Sequence, residues 1–207
     1  MSADTELPSP IAPPPQAPDG EWLHHDEAGR LRQKAFFERG ALHGPLVLYD
    51  QRGETVLEES YQHGSREGVR RILVDGRLHT LARFQNGLQD GETILHHPSG
   101  IASAKLPYKQ GVLHGEAVFY DADGNVARRA AYAQGKLHGD SLTYFPNGKV
   151  QASEPYQSNL LHGEAKYFSP DGSTLKSVLY AQGKPGQAPA AAVPAKPTAS
   201  RLPPLRR

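Results

Sequence analysis

Glycine recurs along this chain at a fixed step, and that step limits what the chain can fold into. Gly20, Gly44, Gly68, Gly91, Gly115, Gly139 and Gly163 are separated by 24, 24, 23, 24, 24 and 24 residues. A second series, Gly29, Gly53, Gly76, Gly100, Gly124, Gly148 and Gly172, keeps the same step. A third runs Gly40, Gly64, Gly87, Gly111, Gly135, Asn159 and Gly183. Self-similarity at this period marks a repeat architecture in which each unit packs only on its neighbours. The single 23-residue step falls where the turn before Gly76 is one residue shorter than its counterparts.

Each unit reads as two short strands and two turns. One turn is Asp121-Ala-Asp-Gly124, Pro146-Asn-Gly148 or Pro170-Asp-Gly172. Pro presets φ for the first central position, Asn or Asp tolerates the next, and Gly takes φ > 0. The other turn is Gly111-Val-Leu-His-Gly115, Gly135-Lys-Leu-His-Gly139 or Asn159-Leu-Leu-His-Gly163. Asn159 standing in a glycine slot supports a left-handed backbone there. Between turns only about 5–9 residues remain, enough for a strand and too few for a capped helix. Pro107 and Pro155, each just before an aromatic, mark a strand end or bulge.

An aromatic stands eight residues after every second-series glycine: Phe37, Tyr61, Phe84, Tyr108, Tyr132, Tyr156 and Tyr180. With aromatics at 8% of the chain, seven coincidences in seven units set the register. These rings are expected to stack as a ladder and to form the core. The fold class is then all-β: an elongated, single-layer antiparallel meander of about seven 24-residue hairpin units. At about 4.8 Å per strand, roughly fourteen strands would extend on the order of 60–70 Å.

Composition agrees, since 37% hydrophobic residues with 21 Gly and 18 Pro in 207 residues leave little for a closed two-layer core. The repeat domain spans 20–186. It lies between a Pro-rich acidic tail, 1–19, and an Ala/Pro-rich basic tail, 187–207, both expected to be disordered. Cysteine is absent, which removes disulfides and thiolate chemistry. The first residues carry no signal-peptide pattern and no stretch approaches a membrane helix. The expected location is cytoplasmic.

The segments Tyr132 to Gly148 and Tyr156 to Gly172, with Tyr-x-x-Gly/Asn-x-Leu-His-Gly followed by a Pro-Asn/Asp-Gly turn, resemble the MORN repeat. They look most like the bacterial variant of the YwqK-type antitoxin family, and the resemblance covers about residues 20–186. Units one and three depart from it, with His24-His25 at aromatic positions and Gly64-Ser-Arg-Glu-Gly68 in place of Gly-x-Leu-His-Gly. The resemblance implies protein binding, with neutralisation of a cognate toxin as the family's role. It brings no catalytic residues. The alternative is a structural or membrane-peripheral scaffold with lipid contact at its surface.

Residue clusters that suggest chemistry have structural counterparts. His43, His114, His138 and His162 occupy one turn in different units, roughly 9–10 Å apart. Zinc ligands sit some 3–4 Å from one another, so identical turns do not converge. Each His is expected to cap its turn, and no metal or cofactor is expected. Glu92, Glu116, Asp140 and Glu164, together with Glu21, form an acidic file that reads as a solvated edge or as a docking strip for a partner. Ser173 and Lys176 match a Ser-x-x-Lys pattern, but on a strand they point to opposite faces. The pairs Arg70-Arg71 and Arg128-Arg129 are isolated among acids and do not make a nucleic-acid stripe. The chain is expected to be a non-enzymatic protein-binding module with no nucleic-acid partner.

Overall fold

A computed structural model describes residues 10–11 and 19–186. The expected tails lie almost wholly outside the described residues. Within 1–19, however, the Ile11 N–H donates to Gln33 Oε1 at 2.7 Å and Gln33 Nε2 donates to the Ile11 carbonyl at 3.2 Å. Those two bonds satisfy the amide of Gln33, which is 1% exposed.

The meander is as expected. Fourteen strands of six to nine residues run from Gly20–His25 to Thr174–Ala181, accompanied by five two-residue segments such as Val112–Leu113. Each strand pairs antiparallel with the next in sequence, as in Gly115–Tyr120 with Val126–Ala133 and Val126–Ala133 with Lys136–Tyr144. Among the described residues there is no helix.

The two turns of a unit differ in construction. At Asp121–Asn125 the Gly124 N–H donates to the Asp121 carbonyl and the Asp121 N–H to the Asn125 carbonyl. The loop between these two residues is three residues, Ala122 to Gly124, and the register slips between Phe119 and Tyr120, so that Ala127 is carried as a bulge beyond the glycine. The exception is Asp75–Gly76, with φ of 48° and 70°, a two-residue turn in which both residues are left-handed. That missing residue is the 23-residue step. At the opposite end of each hairpin the turn is again a left-handed pair, for example Gln134–Gly135 at 52° and 74°. Ser158–Asn159, at 50° and 71°, shows Asn filling the glycine slot.

Units are joined by a repeated backbone bond. The second turn residue of one unit donates to a carbonyl of the unit before it: Gly64 to Leu42, Gly87 to Arg66, Gly111 to Gln89, Gly135 to Leu113, Asn159 to Leu137 and Gly183 to Leu161, at 2.7–2.9 Å. Each turn therefore hangs from its predecessor. Pro107 and Pro155 sit inside strands, opposite the irregular stretch after this turn, where their carbonyls accept the N–H of His114 and His162 at 2.9 Å. The missing donor costs nothing there, because the carbonyl makes the bond.

Burial concentrates on the face that carries the rings. At its N-terminal end Phe37, Leu46, Leu48, Leu57 and Ala35 form an apolar cluster, with Trp22 edge-on to Phe37 at 6.1 Å. Full burial of each large member contributes about 1.5–3 kcal/mol. Further along, the same face is centred on small residues: Ala82, Thr93, Ala104, Ala117, Ala130, Ser141, Ala152 and Ala165 are all buried. In a single layer, burial of Ala117 and Ala130 to 0% requires the longer neighbours to lie over them.

Candidate interaction face

The seven rings occupy one register position, but they do not stack. Each ring lies opposite a first-series glycine on one side, as in Gly91 with Tyr108, Gly115 with Tyr132 and Gly139 with Tyr156. On the other side it faces a residue of the Gly-x-Leu-His-Gly turn: Leu113 opposite Tyr108, Leu137 opposite Tyr132, Leu161 opposite Tyr156. Successive rings are thus two strands apart, roughly 9–10 Å, beyond the 4.5–7 Å centroid range of aromatic pairs. The expected stacked ladder is corrected to a file in which leucine and glycine alternate with rings. The distance that keeps equivalent histidines apart also keeps equivalent rings apart.

Two carboxylates are set among the rings. Glu59 has a side chain 2% exposed, with the Tyr61 hydroxyl donating to it at 2.6 Å and the Nε atoms of Arg66 and Arg70 each 3.3 Å away. Burial first, then Glu59, pushes the Tyr61 hydroxyl pKa up. Glu154 accepts from the Tyr167 hydroxyl at 3.0 Å and from Tyr156 at 3.5 Å. Burial, reinforced by Glu154, raises the Tyr167 pKa to about 12. Both acids stand two residues before a ring, where other units carry Ala35, Ala82, Leu106, Ala130 or Val178. An acid in an otherwise apolar repeat position was a readable signal that the sequence reading passed over.

The acidic file lies on the opposite face. Glu92, Glu116, Asp140 and Glu164 are all exposed. Glu116 is engaged by Arg129 at 2.6 Å, while Glu164 accepts from Ser177 and lies 3.1 Å from Lys166. Glu21 is paired with Lys34. The file is therefore partly neutralised by cross-strand partners.

The turn position occupied by His43, His114, His138 and His162 is held by acids in other units, and those acids do the capping. Asp19, Glu67 and Asp90 accept the N–H of the left-handed residues Arg39, Asn86 and Gln110 in the next turn. Among the described residues none of the four histidines makes a side-chain hydrogen bond of that kind, and the buried Nδ1 of His43 has no hydrogen-bond partner. The expected histidine caps are corrected accordingly. Ser173 bonds to Asp171 and Ser169, whereas Lys176 lies 4.5 Å over the Tyr167 ring, so the Ser-x-x-Lys pattern has no geometric content.

Concavities are shallow. One, of about 510 Å³, lies between Arg129, Tyr144 and the turn at Asn147–Gly148. A smaller one, of about 140 Å³, is lined by His79, His96 and His97, where His96 Nδ1 and His97 Nε2 are buried without partners. Among the described residues no helix is long and apolar enough to cross a membrane.

Comparison with known proteins bears on the repeat. The family described as MORN repeat variant matches residues 113–134 and 137–158. No curated protein matches the chain. Among solved structures, a mutant of S. aureus TarM in complex with Fondaparinux, alpha-GlcNAc-glycerol and UDP aligns at 10% identity and a TM-score of 0.26, over 68% of this chain and 22% of that one. The chain thus spans about a fifth of TarM, and at that score the likeness carries no argument. The two matched segments are consecutive units of the 24-residue series described above, and the match to the MORN repeat variant rests on those two units.

Proposed function

We propose that the chain acts by binding a protein through its ring-bearing face, without chemistry of its own. MORN repeats are generally modules that bind proteins or membranes. The observation that carries the reading is the half-buried tyrosine file: Tyr108, Tyr132, Tyr156 and Tyr180 lie on one face of an open single sheet. Tyrosine offers a large rigid apolar surface with a polar tip, the chemistry enriched at protein interfaces. On the other face Glu58–Arg71, Glu116–Arg129 and Glu164–Lys166 cancel in pairs, which favours a protein partner over an anionic membrane. The finer reading is an antitoxin or immunity-type protein that covers a toxin's working surface, and the family resemblance supports it.

Co-expression with the product of the adjacent reading frame tests both levels. The reading expects a complex that survives gel filtration and relief of any growth arrest the neighbour causes. Tyr132→Ser combined with Tyr156→Ser should abolish the complex, and Glu92→Gln with Asp140→Asn should leave it intact. A complex without growth relief removes the antitoxin reading and keeps the binding one. No complex, or one that ignores the tyrosine changes, removes the proposal.

A further inference from the structure

We infer that Glu38, His43 and His63 form a binding site for a divalent transition metal, zinc being the best match, at the junction of the first two units. Their ligand atoms all lie within 4.8 Å of one another. His43 Nδ1 is 3.2 Å from Glu38 Oε2, and the His43 and His63 rings are 5.0 Å apart at their centroids. Two imidazoles and a carboxylate are a zinc donor set that leaves a fourth position for water.

Equivalent turns cannot share an ion, but this cluster joins inequivalent positions. Glu38 ends the strand Leu31–Glu38, and His43 lies in the strand Ala41–Tyr49. His63 belongs to the next unit's turn. The bond from Gly64 N–H to the Leu42 carbonyl, 2.8 Å, sets that turn directly over the residue beside His43. His63 takes φ 47°, a left-handed conformation that His tolerates better than most side chains. The backbone therefore assembles the three donors before any ion arrives.

His43 Nδ1 is buried and faces the carboxylate, yet the two make no hydrogen bond. Closing the set to the 3–4 Å ligand separation of a zinc site needs about 1 Å of side-chain rotation. Glu38 and His43 side chains are 40% and 33% exposed, so the site has access to solvent and to ions.

The repeat supplies its own comparison. The same backbone places His114 beneath Gln134, His138 beneath Ser158 and His162 beneath Gln182. At the position of Glu38 those units have Lys109, Ala133 and Gln157. Only the first junction has three metal-binding side chains at these positions.

The test is calorimetric titration of zinc sulfate into the full chain, free of any histidine tag. The inference expects one site that His63→Asn and Glu38→Gln each weaken tenfold or more, while His138→Ala leaves it unchanged. Asn suits the left-handed position, and equal melting temperatures of metal-free wild type and variants verify that the fold is retained. Zinc should raise the melting temperature of the wild type and of His138→Ala, but not that of His63→Asn. Absence of a site, or affinity that survives both His63→Asn and Glu38→Gln, overturns the assignment.

Discussion

Gly115 and Tyr132 are paired directly across the sheet, one contributing no side chain and the other a ring. Gly115 has φ 115°, and a Cβ there would stand 3.2 Å from Pro107 Cγ. Gly148, by contrast, has φ 79° and open space around it. Gly115→Ala meets both backbone strain and a tight contact with the Pro107 ring, so it should destabilise by about 2 kcal/mol. Gly148→Ala meets only the backbone term, about 1 kcal/mol. Urea unfolding of the two variants should give that order.

Glu59 is held by two arginines and a tyrosine in a nearly dry setting, whereas Glu58, next but one to Ser60 on the other face, is paired with Arg71 in the open. Removing a partner from a buried pair commonly costs about 3–5 kcal/mol, but Arg66 and Arg70 are 40% and 25% exposed and can turn to water. Glu59→Ala should therefore cost about 2 kcal/mol. Glu58→Ala should stay within about 0.5 kcal/mol. Equal effects in chemical unfolding would contradict the burial argument.

The aspartates of the hairpin turns predict an acid limit. Backbone N–H groups of Arg30, Glu54 and Asn125 hold the carboxyls of Asp26, Asp50 and Asp121 below the usual aspartate value. Asp171 is held at about 2, first by the Ser169 hydroxyl and then by Ser173. A folded-state pKa below the unfolded one contributes stability that is present above the unfolded value and lost as pH falls through the folded one. Melting temperature should thus decline from about pH 4 towards pH 2. Asp50→Asn with Asp121→Asn should flatten that decline; an unchanged slope would show that the turns are not its source.

Asp90 and His114 occupy the same turn position, but only Asp90 accepts a bond from the next turn, from the Gln110 N–H at 3.0 Å. Asp90→Ala should cost about 1 kcal/mol. His114→Ala should be close to neutral. Thermal unfolding that finds the two equal would restore a capping role to the histidine.

The sequence revealed the period, the short turn before Gly76 and the strand count, because each depends on backbone conformations that only Gly, Asn and Pro favour. Asn159 in a glycine slot was read correctly for that reason. Side-chain placement was less legible. The rings share a register yet stand apart, since a period of two strands exceeds the reach of a ring; the glycine and leucine between them were visible but were read as turn residues only. Glu59 and Glu154 were missed because solvated acids are common on strands, and their shielding depends on Arg70 and Tyr167 meeting them from neighbouring strands. His63 was missed because convergence was sought among equivalent positions, and its partner His43 is inequivalent.

The units hang from one another by their turns. Amide hydrogen exchange at Gly64, Gly87, Gly111, Gly135, Asn159 and Gly183 measures those bonds directly. Protection at all six, comparable to that of the flanking strand amides, is the predicted result. Exchange at these six amides as fast as in a free peptide, with the strands still protected, would contradict it.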